Sequence, residues 1–334
     1  MKETDQLMWE NWYANRDDLL VSPSALRLLI KNPKTYYKHY VLEDQEVLTG
    51  KHFDEGSLLH CMVLEPEELN NKFVNMGIAT PNETILSCIN YVLELCPQDP
   101  NLGYYDWEIL SHLIKINKYQ SLKDTKDGTG DSKRLKKILT DNALEYFKLH
   151  VENADKTIVD QESWDKCMRK AKAITDDEKA AWLLYAQDDK DEVRYELEMN
   201  HRPDEYQFGI KGIMDCIKVS KKHKTIFVSD VKTTNKTIAE FAENIDKYDY
   251  WLQPACYEVL AKSLMRGPAF NYDFVFHFIV VDKNDQVYNF KVSEESLQKW
   301  RKQLIELVNH KLSWHIEHHD FELPYDFANN FVVL

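Results

Sequence analysis

Glycine and proline are scarce, nine and ten among 334 residues. That scarcity excludes a collagen-like or low-complexity chain. Long apolar runs are missing too. A bilayer-spanning helix needs about 20 apolar residues, whereas the run Phe274–Val281 is short and already interrupted by His277. No membrane association is therefore expected. The amino-terminal stretch MKETDQLMWENW lacks the basic start and apolar follow-through of a secretory leader, so a cytoplasmic setting is expected. The six cysteines are Cys61, Cys88, Cys96, Cys167, Cys216 and Cys256, and none forms a CxxC pair. A four-ligand zinc or iron–sulfur spacing is thus absent, and reduced core cysteines are expected. Positive charge is also in deficit. The formal net charge is −14, which at first argues against a polyanionic partner.

The distribution of charge weakens that objection. The composition is 43% apolar and 29% charged, that of a globular chain long enough to bury a sizeable core. Its charge is segregated. Segment 21–40 carries Arg27, Lys31, Lys34 and Lys38 and no acid, and segment 211–236 carries seven lysines against Asp215 and Asp230. Segment 81–110 carries Glu83, Glu94, Asp99, Asp106 and Glu108 and no base. Such segregation permits a focused basic cleft on an acidic body, although solvated lysine faces would give the same count.

The hydrophobic period divides the chain. Ser22-Pro23-Ser24 reads as an N-cap and first turn for a helix over Ala25–Ile30, which Asn32-Pro33 ends. A short helix follows with Tyr36, Tyr37 and Tyr40. Gly56 opens another, GSLLHCMVLEPEEL, with His60 one turn on. Residues 81–190 read as mostly helical, broken by one flexible loop, KDTKDGTGDSKR, at 123–134. After 190 the period becomes two. Val193, Tyr195, Leu197 and Met199 are expected on one strand face, with Arg194, Glu196 and Glu198 on the other. Strands at 207–219 and 225–233, a helix near 238–264, a strand at 274–281, a turn at Asn284-Asp285, a strand at 286–292 and a helix over 293–316 complete the pattern. The reading is one α/β domain over 1–334: N-terminal helices to 80, a helical insertion over 81–190, and a sheet with C-terminal helices over 191–334.

The chemistry concentrates in GIMD, fourteen intervening residues, then DVK. Asp230 and Lys232 are two apart on a strand and share a face. An antiparallel neighbour, reached through a turn at Lys221–Lys224, brings Asp215 beside them. Two carboxylates and a lysine in one pocket suit Mg²⁺, which prefers carboxylate oxygens and binds substrate phosphate. The same three residues could form plain ion pairs, and a lone His60, Glu196, Gln253 or Tyr257 would ordinarily be a core, surface or capping residue.

Together these segments resemble the PD-(D/E)xK nuclease superfamily, in its exonuclease VIII (RecE-type) and RecB-like branch. The resemblance runs through SPSALRLLIKNPKTYYKHY, FDEGSLLHCMVLEPEELNNKFV, YELEM, KGIMD, VSDVKTT and FAENIDKYDYWLQPACY. It implies a restriction-endonuclease-like fold, a mixed central β-sheet flanked by helices, with a helical N-terminal half. It implies that His60, Asp215 and Asp230 bind the metal with the Val231 carbonyl, that Lys232 positions or polarises the attacking water, and that Glu196 supports a second metal or the first ligands. Gln253 and Tyr257 would hold the site and contact DNA, with Ser22, Ser24 and Arg27 as phosphate contacts near a DNA end. The implied activity is Mg²⁺-dependent (Mn²⁺ substituting) degradation of linear double-stranded DNA from its ends, 5′→3′, leaving 3′ single-stranded tails for recombination. The implied setting is a homo-oligomeric ring in a bacterial or phage-infected cell, alongside a single-strand annealing protein. Two rivals are a structure-specific or restriction-type endonuclease and a non-catalytic DNA-binding partner protein. The sequence departs from the branch at IKGIMD, where arginine and proline usually adjoin the aspartate, leaving Lys211 as the nearby cation. No cysteine follows Cys256, so the iron–sulfur variant is rejected. Pro254 requires the helix carrying Gln253 either to start near Leu252 or to kink.

Overall fold

The computed structural model describes residues 3–44, 51–122, 130–243, 245–265 and 271–329. In chain order its elements are α1 (Glu3–Ala14), β1 (Leu20–Val21), α2 (Pro23–Lys31), α3 (Pro33–Tyr36), α4 (Lys51–Leu64), α5 (Leu69–Lys72), β2 (Phe73–Asn75), α6 (Glu83–Leu93), α7 (Asp106–Lys115), α8 (Gly130–Ile138), α9 (Asp141–Glu152), β3 (Thr157–Val159), α10 (Gln161–Asp176), α11 (Glu178–Leu184), β4 (Asp191–His201), β5 (Gly209–Ser220), β6 (Thr225–Thr233), α12 (Ile238–Ala242), α13 (Leu252–Ser263), β7 (Asp273–Val281), β8 (Val287–Lys291), α14 (Glu294–Glu306), α15 (Ser313–His318) and α16 (Tyr325–Asn329). The architecture is mixed α/β, a mixed sheet flanked by helices with a helical N-terminal region. Two units divide the chain, residues 1–49 with 169–334, and residues 50–168. Among the described residues no helix is long and apolar enough to cross a membrane.

The larger unit is built on the sheet β1-β5-β6-β7-β8, with β4 also paired to β5. β4, β5 and β6 are antiparallel neighbours, β6 and β7 are parallel, and β8 returns antiparallel along β7. β4 occupies one edge of β5 along its length. The other edge is shared, because β1 pairs at Gly209 and Ile210 and β6 pairs from Cys216 to Ser220. On that edge residues 211–215 have no strand partner among the described residues, which opens a cleft in the sheet.

Helix α2 forms as its letters dictate. Ser22 Oγ accepts from the Ala25 amide at 3.2 Å, Pro23 fills the first turn, and Ala25, Leu26 and Leu29 turn inward. Asn32 ends the helix and its side chain caps the next turn through the Thr35 amide. The buried face joins one large core with α13, α14 and the sheet residues Ile217, Ile226, Val228, Phe276 and Phe278. Each such side chain contributes about 1.5–3 kcal/mol by leaving water. On the opposite sheet face Lys218 is wholly buried. Its ammonium donates to the Trp182 carbonyl at 2.6 Å and the Tyr185 carbonyl at 3.2 Å, and pairs with Asp191 at 3.2 Å. It thereby holds the C-terminal end of α11 against β5.

The smaller unit is helical apart from the parallel pair β2–β3. Its own core comprises Ile85, Ile89, Leu113, Ile138 and Phe147 among others.

Four sequence expectations change. The helix bearing His60 begins at Lys51, five residues before Gly56. Of the loop at 123–134, residues 123–129 lie outside the described residues, while Gly130 onward is helical because Leu135 and Ile138 anchor α8 in the smaller core. The helix expected over 238–264 is two, α12 and α13, separated by a segment in which Asp249 has a left-handed φ of 51°. The alternation over Val193–Met199 also breaks. The Tyr195 hydroxyl donates to the Leu184 carbonyl of α11, whereas Leu197 and Met199 pack into the large core. Between them Glu196 has φ 44°, and that left-handed residue resets which face the strand presents.

Candidate active site

The carboxylates lie where the ladders give way. Tyr195↔Cys216 and Leu197↔Met214 bracket the β4–β5 register, which places Glu196 opposite Asp215. The β5–β6 register ends at Cys216↔Ser229, and one further step places Asp215 opposite Asp230. Glu196, Asp215 and Asp230 therefore form one row across three strands. A carboxylate oxygen of Glu196 and one of Asp215 lie within 4.8 Å of each other. A left-handed φ at a non-glycine residue carries a conformational cost, and such costs persist where surrounding structure imposes them, often at functional sites.

Asp215 Oδ2 accepts from the Val231 amide at 2.8 Å, so the side chain substitutes for the backbone partner that β5 does not supply there. Asp230 is fully buried. Its Oδ1 accepts from Gln253 Nε2 at 2.7 Å, and its Oδ2 pairs with the Lys232 ammonium at 2.5 Å. Burial alone would drive Lys232 toward the neutral amine, but Asp230 and Asp215 outweigh it and hold its pKa above the ordinary lysine value. In this arrangement Lys232 is a charged donor. The Tyr257 hydroxyl donates to the Ile213 carbonyl at 2.6 Å. Burial, reinforced by Asp230 and Asp215, raises its pKa, so it remains a phenol.

Gln253 and Tyr257 share a face because α13 starts at Leu252, which leaves Pro254 in the first turn, where no amide is needed. Their helix crosses β5 at Gly212, where a β-carbon would lie 2.9 Å from the Tyr257 ring. The need for that glycine is not apparent from the sequence, although it stands three residues before a catalytic-type aspartate.

Ser22, Ser24 and Arg27 line a cavity of about 430 Å³ together with Lys211, Gln253 and Tyr257. The cavity opens over the stretch of β5 that lacks a strand on one edge. Ser22 and Ser24 hydroxyls lie 2.9 Å apart. Arg27 Nε is buried with no hydrogen-bond partner among the described residues, and its guanidinium sits over the Tyr250 ring at 5.6 Å. His60 is half-buried on α4 in the smaller unit.

A family model described as the PD-(D/E)XK nuclease superfamily matches residues 133–322, more than half of the chain. The chain belongs to this superfamily. The PD-(D/E)XK match spans β4 to β8 of the sheet, the row of carboxylates, Lys232 and α13. Among solved structures, a crystal structure of a "putative exonuclease" from Eubacterium rectale aligns with TM-score 0.50 and 11% identity. The alignment covers 97% of this chain and 94% of that one, so the two share a fold. No curated protein matches. PD-(D/E)XK nucleases typically use a divalent metal, and the donor set fits one. Glu196 and Asp215 offer neighbouring carboxylate oxygens, and Asp230 stands next in the row.

Proposed function

We propose that this PD-(D/E)XK chain is a Mg²⁺-dependent exonuclease acting on the ends of linear double-stranded DNA, 5′→3′, and leaving 3′ single-stranded tails for homologous recombination. The observation that carries the reading is the row Glu196–Asp215–Asp230 with Lys232 at its end, set beside a cavity that holds unengaged cationic donor capacity at Arg27. A Mg²⁺ ion held by Asp215 and Asp230, with the Val231 carbonyl as a further ligand by family resemblance, would offset phosphate charge and acidify a bound water.

The chain's own groups do the rest. The Val231 amide fixes the Asp215 carboxylate, and the Gln253 amide fixes Asp230. Lys232, held charged, donates to the attacking water or to a non-bridging phosphate oxygen as negative charge builds. Glu196 completes the acidic row and orients the ligands beside it. Arg27, Lys211, Ser22 and Ser24 receive the backbone phosphate near the DNA end, and Tyr257 keeps α13 seated beside the cleft. Hydrolysis would then leave a 5′-phosphate. A homo-oligomeric ring in the cytoplasm, working with a single-strand annealing protein, accords with an acidic body and local basic stretches.

The test is digestion of linear duplexes bearing 5′-phosphate or 5′-hydroxyl ends, beside nicked and closed circles, in Mg²⁺ or EDTA. Metal-dependent loss of linear DNA from its 5′ ends is expected. Cutting of closed circles would move the assignment to an endonuclease. Binding of DNA without hydrolysis under any metal would leave a non-catalytic DNA-binding protein.

A further inference from the structure

A second cavity, of about 490 Å³, opens on the other face of the sheet. On β6, Asp230 and Phe227 are three residues apart and so point to opposite faces. The register carries Phe227's face across the sheet, pairing Phe227 with Val275, Ser229 with His277, and His277 with Lys291. The cavity is thus separated from the carboxylate row by the sheet itself. Helix α11 forms its other wall, with Lys179 and Trp182.

Its lining is specific in chemistry. The Trp182 and Phe227 rings meet edge to face, with centroids 5.1 Å apart and an angle of 84°. Two rings at a right angle make a corner, in which a planar ring lying on one presents its edge to the other. His277 is 8% exposed, and its Nδ1 has no hydrogen-bond partner among the described residues. Asn289 donates through Nδ2 to Asp177 at 3.2 Å, which fixes the amide and leaves its buried Oδ1 with no hydrogen-bond partner among the described residues. Lys179 and Lys291 are exposed at the rim.

We infer that this rear cavity binds a nucleoside monophosphate, with the base in the Trp182–Phe227 corner, its polar edge on His277 and Asn289, and its phosphate between Lys179 and Lys291. A cavity of this size is in the range that encloses small ligands. A phenyl side chain would fill the corner but leave the imidazole and amide without partners, which costs free energy in a buried site. A bare phosphate would use the rim alone. The assignment rests on the nuclease reading only for its source of ligand, since an exonuclease releases mononucleotides.

The experiment is titration calorimetry of the full chain with dAMP in EDTA, where metal-dependent binding at the front site is suppressed. One site is expected, retained in Asp230→Asn. Binding should weaken by roughly tenfold in Lys179→Ala/Lys291→Ala, whose two positions are exposed, with the unfolding midpoint unchanged. Asn289→Ala should weaken dAMP without changing affinity for inorganic phosphate. Deoxyadenosine should bind more weakly than dAMP. Phosphate alone binding as well as dAMP, an acidic peptide ending in phenylalanine binding in its place, or loss of binding only in Asp230→Asn would each overturn the assignment. Rear-site binding by a chain that cleaves no DNA would sink the nuclease reading and leave this one standing.

Discussion

Lys232→Met removes an ammonium and keeps an aliphatic stem. The charge it balances belongs to Asp230, which is fully buried, while Lys232 keeps 20% of its side chain in solvent. Breaking a buried pair by deleting one partner costs about 3–5 kcal/mol. The partial exposure of Lys232 places this case at the lower end, about 3 kcal/mol, because water screens part of the interaction. In EDTA the variant should therefore unfold at lower urea or, by heat, roughly 4 °C earlier. A divalent cation seated among the same carboxylates replaces the missing positive charge. Added Mg²⁺ should accordingly stabilise the variant, by about 2.7 kcal/mol once the ion reaches a hundred times its dissociation constant, and should stabilise the parent less at the same concentration. Digestion of linear duplex should fall by roughly a hundredfold or more even in saturating Mg²⁺, since the donor to the developing charge is gone. Lys232→Arg keeps the charge and should recover most of the stability with little of the cleavage. Tryptophan fluorescence against urea, with and without Mg²⁺, reads the first effect, and single-turnover digestion reads the second. Unchanged stability in EDTA would refute the ion-pair reasoning. Unchanged digestion would remove Lys232 from the chemistry.

Three further outcomes follow from the packing. Gly212→Ala must displace the Tyr257 ring, which its β-carbon would meet at 2.9 Å, so a loss of about 1–3 kcal/mol together with weaker cleavage is expected in urea melts and digestion assays. Lys218→Met should cost about 3–5 kcal/mol by stranding Asp191 and two carbonyls of α11, whereas the double variant Lys218→Met/Asp191→Leu should recover part of that loss, as measured by a double-mutant cycle. His277 is held neutral by burial, and secondarily by Lys291, with its pKa pushed down to about 4. The unfolded imidazole takes its proton near pH 6.5 and the folded one resists until about 4, so stability is constant above about 6.5 and falls by about 3 kcal/mol as pH drops through that window. Urea midpoints from pH 7 to 4 should show that slope, and His277→Gln should flatten it.

The catalytic-type motif was legible because period two forces Asp230 and Lys232 to one face whatever the rest of the fold does. The N-cap at Ser22 was legible for the same kind of local reason, since Pro23 admits few placements, whereas Pro254 left a helix start near Leu252 and a kink equally open. Breaks were less legible. Nothing in IAEFAENIDKYDYWLQP marks the break between α12 and α13, a segment in which Asp249 is left-handed and pairs at 3.0 Å with Lys31 of a distant helix. The loop expected near 130 became helix for the converse reason, as tertiary burial of Leu135 and Ile138 overrode a run of polar letters.

Glu196 joins these two cases. By alternation alone it is an ordinary residue on a solvent face. In the fold it is the point at which β4 turns over, so that Tyr195 reaches α11 while Leu197 reaches the large core. An uninterrupted ladder would bond each strand's backbone to its neighbour's throughout. Here the Val231 amide is bonded instead by the Asp215 side chain. The break and the acidic row are thus one feature: the irregularity that sequence periodicity misses falls where Glu196 and Asp215 bring their carboxylates together, with Asp230 next in the row. Glu196→Gly tests this directly. Glycine adopts φ 44° without strain, so the break should persist, and hydrogen exchange at the Val231 amide should stay as slow as in the parent while cleavage falls. Fast exchange in that variant would show that the glutamate side chain, rather than the backbone conformation, holds the strands apart.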